Sequence, residues 1–408
     1  MDFVPSTLPD GEPVPADGAL PAGVRAQLGS RPFSFYLHVP YCASRCGYCD
    51  FNTYTAAELG GGASQASYAG DAIAEVELAR RVLGGAELPV GTVFFGGGTP
   101  TVLSVDDLAS MLRAITDRFG LTAGAEVTIE ANPESVDARS LAGLREAGFN
   151  RISFGMQSAR SHVLQTLDRR HTPGLPQQRV AEARAAGFEH VNLDLIYGTP
   201  GESDDDWLAS LRSALDAGPD HISAYALIVE EGTRFAARVG RGELAAPDDD
   251  VLADRYLMAD EALSAAGFQW YEVSNWARPG GECRHNLAYW RGDDWWGVGP
   301  GAHSHVGGLR WWNVKHPKAY AGRVGQGLSP GYAREQLDAE TRRIEDVMLR
   351  LRLAEGLDVR ELDDVGVKAA TLEADAGLLD AASLRRGRLV LTLAGRLLAD
   401  GVVRRLLG

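Results

Sequence analysis

Six short apolar runs constrain this chain more than anything else in it, because each is followed by a Gly, Pro or Asn turn and then by a stretch with helical spacing. They are FSFYLHV (33–39), TVFFGG (92–97), EVTIEAN (126–132), RISFGMQ (151–157), HVNLDLIYG (190–198) and HISAYALIV (221–229). Strands of near-continuous apolarity alternating with helices argue for βα units around a buried parallel sheet. No fixed period repeats along the chain, so a solenoid is not expected. Two helix starts are legible: Ser104 has Asp107 three residues on, a capping-box spacing, and Ser203 precedes Asp204, Asp205 and Asp206, which suit the positive end of a helix dipole. In a curved or closed β/α array the functional residues gather at the carboxyl ends of strands. The chemically unusual residues here do so: three cysteines follow the first run, GGGTP follows the second, and Glu130, Gln157 and Asp194 lie near the ends of the third, fourth and fifth.

The rest of the chain sorts by composition. Residues 1–30 mix Pro, Gly, Ala and Asp without periodicity and are expected to form a flexible tail. The six runs define a core over 31–245, an aromatic-rich extension follows over 246–330, and 331–408 is Arg/Leu/Glu-rich, expected as a helical domain with a hairpin, of which a winged helix is one form. Forty Lys+Arg against 55 Asp+Glu leave a net charge of −15, which repels a polyanion and disfavours nucleic acid as a partner. No apolar run approaches the roughly 18 residues a spanning helix needs, and the N-terminus lacks the basic start and apolar middle of a signal peptide. A cytoplasmic protein is expected. Four cysteines in 408 residues do not make a disulfide framework.

Three of those cysteines, Cys42, Cys46 and Cys49, fall in YLHVPYCASRCGYCDFNTY as C-x-x-x-C-x-x-C. Three thiolates on one loop can hold three irons of a [4Fe–4S] cluster, leaving the fourth iron open to a bidentate amino-carboxylate ligand. Structural zinc, with Cys283 or a histidine as fourth ligand, and unligated core thiols are the other readings, although structural zinc normally uses paired C-x-x-C halves. The Gly-rich turn FFGGGTPT lets Gly97, Gly98 and Thr99 present backbone close to a ligand, but it lacks the lysine of a phosphate-binding P-loop.

This combination, over roughly residues 33–320, resembles the radical S-adenosylmethionine (SAM) superfamily. The resemblance implies an α/β fold, an incomplete (β/α)6 barrel, in which SAM chelates the open iron through its methionyl amino and carboxylate groups and is cleaved by an electron from the cluster. It also implies an electron donor. Within the porphyrinogen-acting subgroup, Gly97, Gly98, Thr99, Tyr36 and Tyr48 match positions that contact this SAM. Glu130 suits a ribose or ammonium donor, or simply a helix cap. Gln157, Arg169 and Asp194 match contacts to a second SAM in the oxygen-independent coproporphyrinogen III oxidase; an Arg–Asp pair tying strand ends together is the plain alternative. His38 is expected to pack, or to hydrogen-bond the cluster.

Two functions compete on this scaffold: oxidative decarboxylation of coproporphyrinogen propionates, and carriage of heme to an acceptor protein. In the oxidase the third cluster cysteine is followed by x-Cys, whereas here Cys49 is followed by Asp50 and Phe51, which argues against that activity. The segment His285-Asn286-Leu287-Ala288-Tyr289-Trp290 is an HNxxYW motif that resembles the signature of the heme-chaperone relatives. A neutral imidazole is a standard axial ligand of heme iron, and flat aromatic rings suit its apolar macrocycle. Trp270, Trp276, Trp290, Trp295, Trp296, Trp311 and Trp312, seven of the eight tryptophans, offer such surface. His285, Asn286, Tyr289 and Trp290 are therefore the candidate heme residues, with His303 and Cys283 as other possible ligands. The arginines of the C-terminal segment are expected to form a lid or a docking surface for an acceptor at the membrane.

Overall fold

The computed structural model describes residues 11–59, 65–169 and 172–408. Its strands, in chain order, are β1 (Glu12–Pro13), β2 (Phe33–Val39), β3 (Val90–Gly97), β4 (Leu121–Ala131), β5 (Arg151–Gln157), β6 (His190–Tyr197), β7 (His221–Ala226), β8 (Gln269–Glu272), β9 (Asn275–Ala277), β10 (Asp294–Val298), β11 (His303–Val306), β12 (Leu309–Asn313), β13 (Gly331–Gln336), β14 (Leu357–Asp358) and β15 (Arg388–Leu389). The six apolar runs correspond to β2 through β7. The chain divides into two compact units, the first made of residues up to 43, 51–127 and 293–338, the second of 44–50, 128–292 and 339–408.

In the first unit β2 is flanked by parallel neighbours, β3 on one side (Ser34 opposite Thr92, Val39 opposite Gly97) and β10 on the other (Asp294 opposite Phe33, Val298 opposite Leu37). From β10 the sheet continues antiparallel through β11, β12, β13 and β1. Phe35, Leu37, Val39, Val93 and Phe95 are fully buried, as strands covered on both faces require. Helix Val105–Phe119 starts where expected: Ser104 Oγ accepts the Asp107 amide at 3.1 Å and donates to Asp107 Oδ2 at 2.7 Å. Two expectations change here. The described part of the supposed tail is ordered, because its few apolar residues find a core: β1 pairs with β13, Val24 on the short helix Ala22–Arg25 is fully buried, and Leu20 is buried too. Residues 1–10 of that tail lie outside the described residues. Residue 331 opens β13 of this sheet rather than a separate domain, and β10 to β12 of the aromatic extension belong to the same sheet.

In the second unit the last residues of β4, then β5, β6 and β7, pair in parallel, and the hairpin β8–β9 adds antiparallel to β7. Helices Ala138–Glu146, Leu175–Ala185 and Asp204–Asp216 connect these strands. The last of them starts after Ser203 as expected, and does so with a capping box, Ser203 Oγ accepting the Asp206 amide at 3.2 Å and the Ser203 amide donating to Asp206 Oδ2 at 3.0 Å. Residues 339–408 form helices around the short antiparallel pair β14–β15, with Val347, Leu351, Leu357, Leu389, Val402 and Leu406 in their core. This segment is fastened to the aromatic stretch of its own unit: the Arg396 guanidinium lies 3.8 Å over the Trp270 ring, and its Nη1 bonds Asp260 Oδ1 at 2.9 Å.

Candidate functional site

The cysteine loop begins where β2 ends. In the first unit the Cys42 amide donates to Tyr54 O at 3.0 Å, and the Gly-rich turn after β3 is laid along the loop's first residues by Gly98 N to Val39 O (2.8 Å) and Thr99 N to Tyr41 O (2.8 Å). A Cβ on Gly98 would stand 2.5 Å from Tyr41 O and 3.0 Å from Cys42 Sγ, and Gly97 has φ +106°. Only glycine allows both the approach and the backbone. Thr99 Oγ1 reaches toward Cys42 Sγ at 3.9 Å. Tyr36 points its hydroxyl at His38 Nδ1 (3.0 Å), and His38 Nε2 meets Asn52 O at 2.9 Å. The carbonyl can only accept, so Nε2 carries the proton and Nδ1 accepts from Tyr36; His38 thus packs and braces the loop. Phe51, standing where the oxidase pattern has cysteine, is exposed.

The second unit holds Cys46, Tyr48 and Cys49. Gly47 is clamped by its amide to Leu167 O (3.1 Å) and by its carbonyl to the Phe235 amide (2.9 Å). Arg169 directs Nη1 at Cys46 Sγ (3.4 Å) and Nη2 at Gly155 O (3.1 Å). The Tyr48 hydroxyl accepts from Gln157 Nε2 at 3.1 Å, and burial, with Cys46 adding to it, pushes this phenol well above the ordinary range. Gln157 departs from its strand with φ +63°, strained for a non-glycine residue, and its buried Oε1 has no hydrogen-bond partner among the described residues. Asp194 sits in the adjacent strand, Oδ2 accepting from Ser153 Oγ (2.9 Å) and Oδ1 from Asn192 Nδ2 (2.7 Å). Burial raises its pKa, against hydrogen bonds from Ser153, Ser223 and Asn192 and the charge of Arg169. Glu130 is half-buried and opposite Ser153 in the β4–β5 register.

These residues fit a cluster through their donor chemistry. Three half-buried thiols come from one loop, a guanidinium and a hydroxyl face two of them, and a glycine lets the backbone of the second turn come close beside the first. Among the described residues no three His, Cys, Asp or Glu side chains stand at metal-ligating spacing, so the fit rests on that donor set and not on a closed cage.

The HNxxYW residues lie on helix Arg284–Arg291 of the second unit. Arg151, itself buried at the start of β5, holds the approach to this helix by donating to Gly281 O at 2.9 Å. His285 is 1% exposed and its Nε2 is 2.9 Å from the Tyr289 hydroxyl one turn on; burial lowers its pKa to about 3, so it is neutral. Asn286 Nδ2 donates to Glu272 Oε1 (3.0 Å) and to the Tyr271 hydroxyl (3.3 Å). Trp290 packs against Tyr271, Ala277, Leu287 and Leu353.

Most of the tryptophans expected to offer surface are buried. Trp270 and Trp276 are buried in the second unit, Trp296, Trp311 and Trp312 in the first, while Trp290 and Trp295 are partly exposed. The reason is that β8, β9, β10 and β12 are covered on both faces. His303 likewise lies in the first unit, stacked on Trp312, whereas Cys283 and His285 lie in the second.

Sequence reasoning passed over Ser153, Asn192, His221, Ser223 and Tyr271. The first four are polar residues at alternate positions inside runs read as continuously apolar, so counting with a period of two would have found them.

Comparison with known proteins agrees with the fold. Residues 36–214 match the radical SAM superfamily. A protein of Mycobacterium tuberculosis named heme chaperone HemW is 55% identical over 384 residues, covering 94% of this chain and 97% of that one. The protein of the same name from Escherichia coli is 37% identical over 331 residues, 79% of this chain and 83% of the other. Among solved structures, coproporphyrinogen III oxidase (HemN) of Escherichia coli, a radical SAM enzyme, superposes with a TM-score of 0.79 at 24% identity, over 94% of this chain and 92% of that one. Such a likeness establishes the α/β radical SAM fold, and membership of the superfamily implies a [4Fe–4S] cluster and SAM. With more than half of its residues shared over almost the whole of both chains, this chain belongs to the heme chaperone HemW family of radical SAM proteins.

Proposed function

We propose that this protein is a heme chaperone: it binds heme and passes it to an acceptor protein, using a radical-SAM scaffold that carries one [4Fe–4S] cluster and SAM. The observation that carries the reading is the 55% identity to a heme chaperone over 94% of the chain. Cys42, Cys46 and Cys49 would hold the cluster, whose chemistry is to supply one electron to bound SAM. Thr99 and Arg169 place a hydroxyl and a positive charge toward two of the thiols. Tyr36, Tyr48, Gly97, Gly98, Thr99, Glu130, Gln157, Arg169 and Asp194 would hold SAM; the buried Gln157 Oε1 is a ready acceptor for a ligand donor.

In this reading heme binds at helix Arg284–Arg291. His285, kept neutral by burial, is in the protonation state that ligates iron once the Tyr289 hydroxyl turns away; Asn286 fixes the helix, and Tyr289 and Trp290 flank the ligand. Among the described residues no helix is long and apolar enough to cross a membrane. In this reading the protein works in the cytoplasm and meets its acceptor and electron donor at a surface.

Anaerobic reconstitution tests the first half: about four irons per chain are expected, lost in Cys46→Ser. Heme titration with and without His285→Ala tests the second; weakening by roughly tenfold or more is expected, about 1.4 kcal/mol. Decarboxylation of coproporphyrinogen by the loaded protein with SAM and a reductant would replace the chaperone reading with the oxidase one.

A further inference from the structure

A buried polar row crosses the sheet of the second unit and joins the motif helix to Asp194. Ser153, Asn192 and His221 are opposite one another in the registers of β5, β6 and β7, so their side chains stand on one face. The direction of each hydrogen bond follows from its neighbours. Asn192 Nδ2 lies 2.7 Å from Asp194 Oδ1, an oxygen that as carboxylate only accepts, so Nδ2 is the donor there and Asn192 Oδ1 accepts from His221 Nδ1 at 2.6 Å. The other nitrogen of this neutral imidazole, Nε2, then accepts from the Tyr271 hydroxyl at 2.8 Å. Tyr271 in turn accepts from Asn286 Nδ2 at 3.3 Å, whose orientation is fixed by its bond to Glu272 Oε1 at 3.0 Å.

Every donor in the series points toward Asp194. Asn192, His221, Tyr271 and Glu272 are all buried, so water does not compete for the links. Such a chain polarises cooperatively, and reversing one member sets two donors or two acceptors face to face. Asn286 is the second residue of the HNxxYW motif, and Asp194 is a strand-end carboxylate assigned to SAM. A ligand donor that takes up Asp194 therefore alters the pull on Asn192, and the change reaches the first turn of the helix through fixed partners.

We propose that His221 and Tyr271 are positioning residues that couple the two ends: SAM engaging Asp194 changes the affinity of the motif helix for heme, and heme changes the affinity for SAM by the same factor. This rests on the function proposed above. The test uses the cluster-loaded full chain, with heme titrated in the presence and absence of SAM and SAM in the presence and absence of heme. A ratio of at least about fivefold is expected in the parent, equal in both directions. Tyr271→Phe keeps the ring but removes the link, and should bring the ratio close to one while each ligand still binds alone. A ratio of one in the parent, with both ligands bound, overturns the coupling whether or not the variant folds, and so does an unchanged ratio in Tyr271→Phe. A parent that takes up SAM but no heme overturns the functional reading, and the coupling falls with it.

Discussion

Gly98 has no side chain, yet it sets the geometry at the start of the cysteine loop. A methyl group there would meet a carbonyl oxygen that belongs to the backbone and the sulfur of Cys42, neither of which can swing aside like the tip of a flexible chain. Gly98→Ala should therefore lower iron uptake on reconstitution to below about one per chain, while far-ultraviolet circular dichroism stays close to that of the parent. Full loading of the variant would remove Gly98 from the cradle. At this scale the cysteines were legible because their spacing is itself the signal. Gln157 was legible only by resemblance: neither its positive φ nor the unpartnered oxygen leaves a trace in the sequence.

Among the elements, β5 matches its apolar run residue for residue, since a strand buried on both faces is written as one unbroken stretch. The ends of β4 and β7 were less clear: β4 extends back to Leu121 through exposed residues, and β7 stops at Ala226, before the apolar residues 227–229. Helix starts were readable from cap chemistry. Ser203→Ala removes the acceptor of the Asp206 amide and should cost about 1 kcal/mol, seen as a lower denaturation midpoint in urea at unchanged slope. A midpoint equal to the parent's would mean the remaining acidic first turn suffices. The polar row from Ser153 to His221 escaped reading because these runs were read as continuously apolar, and Tyr271 joins it from a strand 50 residues beyond His221. Only the registers bring them together.

For the molecule as a whole, net charge argues against a polyanionic partner without selecting any other. The buried charges are more specific. Glu75 is fully buried, accepting from the Gly299 amide (2.8 Å), Asn313 Nδ2 (2.8 Å) and the Tyr320 hydroxyl (2.6 Å), and burial raises its pKa from 4.5 to about 7 in spite of them. Between these values the folded state holds a proton that the unfolded state has released. Stability from this site is thus full below pH 4.5 and is lost as pH rises to about 7, amounting to about 3 kcal/mol. His285 acts in the opposite sense: its folded pKa lies below 6.5, so its share is present above that pH and lost as pH falls toward 3. Urea midpoints measured from pH 5 to 8 should accordingly fall less steeply in Glu75→Gln than in the parent, and parallel profiles would assign the loss elsewhere.

The domain limits were the least legible feature, because each unit is assembled from separated stretches and residues 44–50 and 51–127 fall on opposite sides of the division. Composition changes along a chain cannot encode such an exchange. The buried tryptophans carry a practical consequence. Since Trp270, Trp276, Trp296, Trp311 and Trp312 sit in the interiors, the intrinsic fluorescence of this protein arises largely from buried side chains. Quenching on addition of heme would then report energy transfer to the macrocycle across the protein, and stacking on an indole should be sought instead in the emission of the partly exposed Trp290.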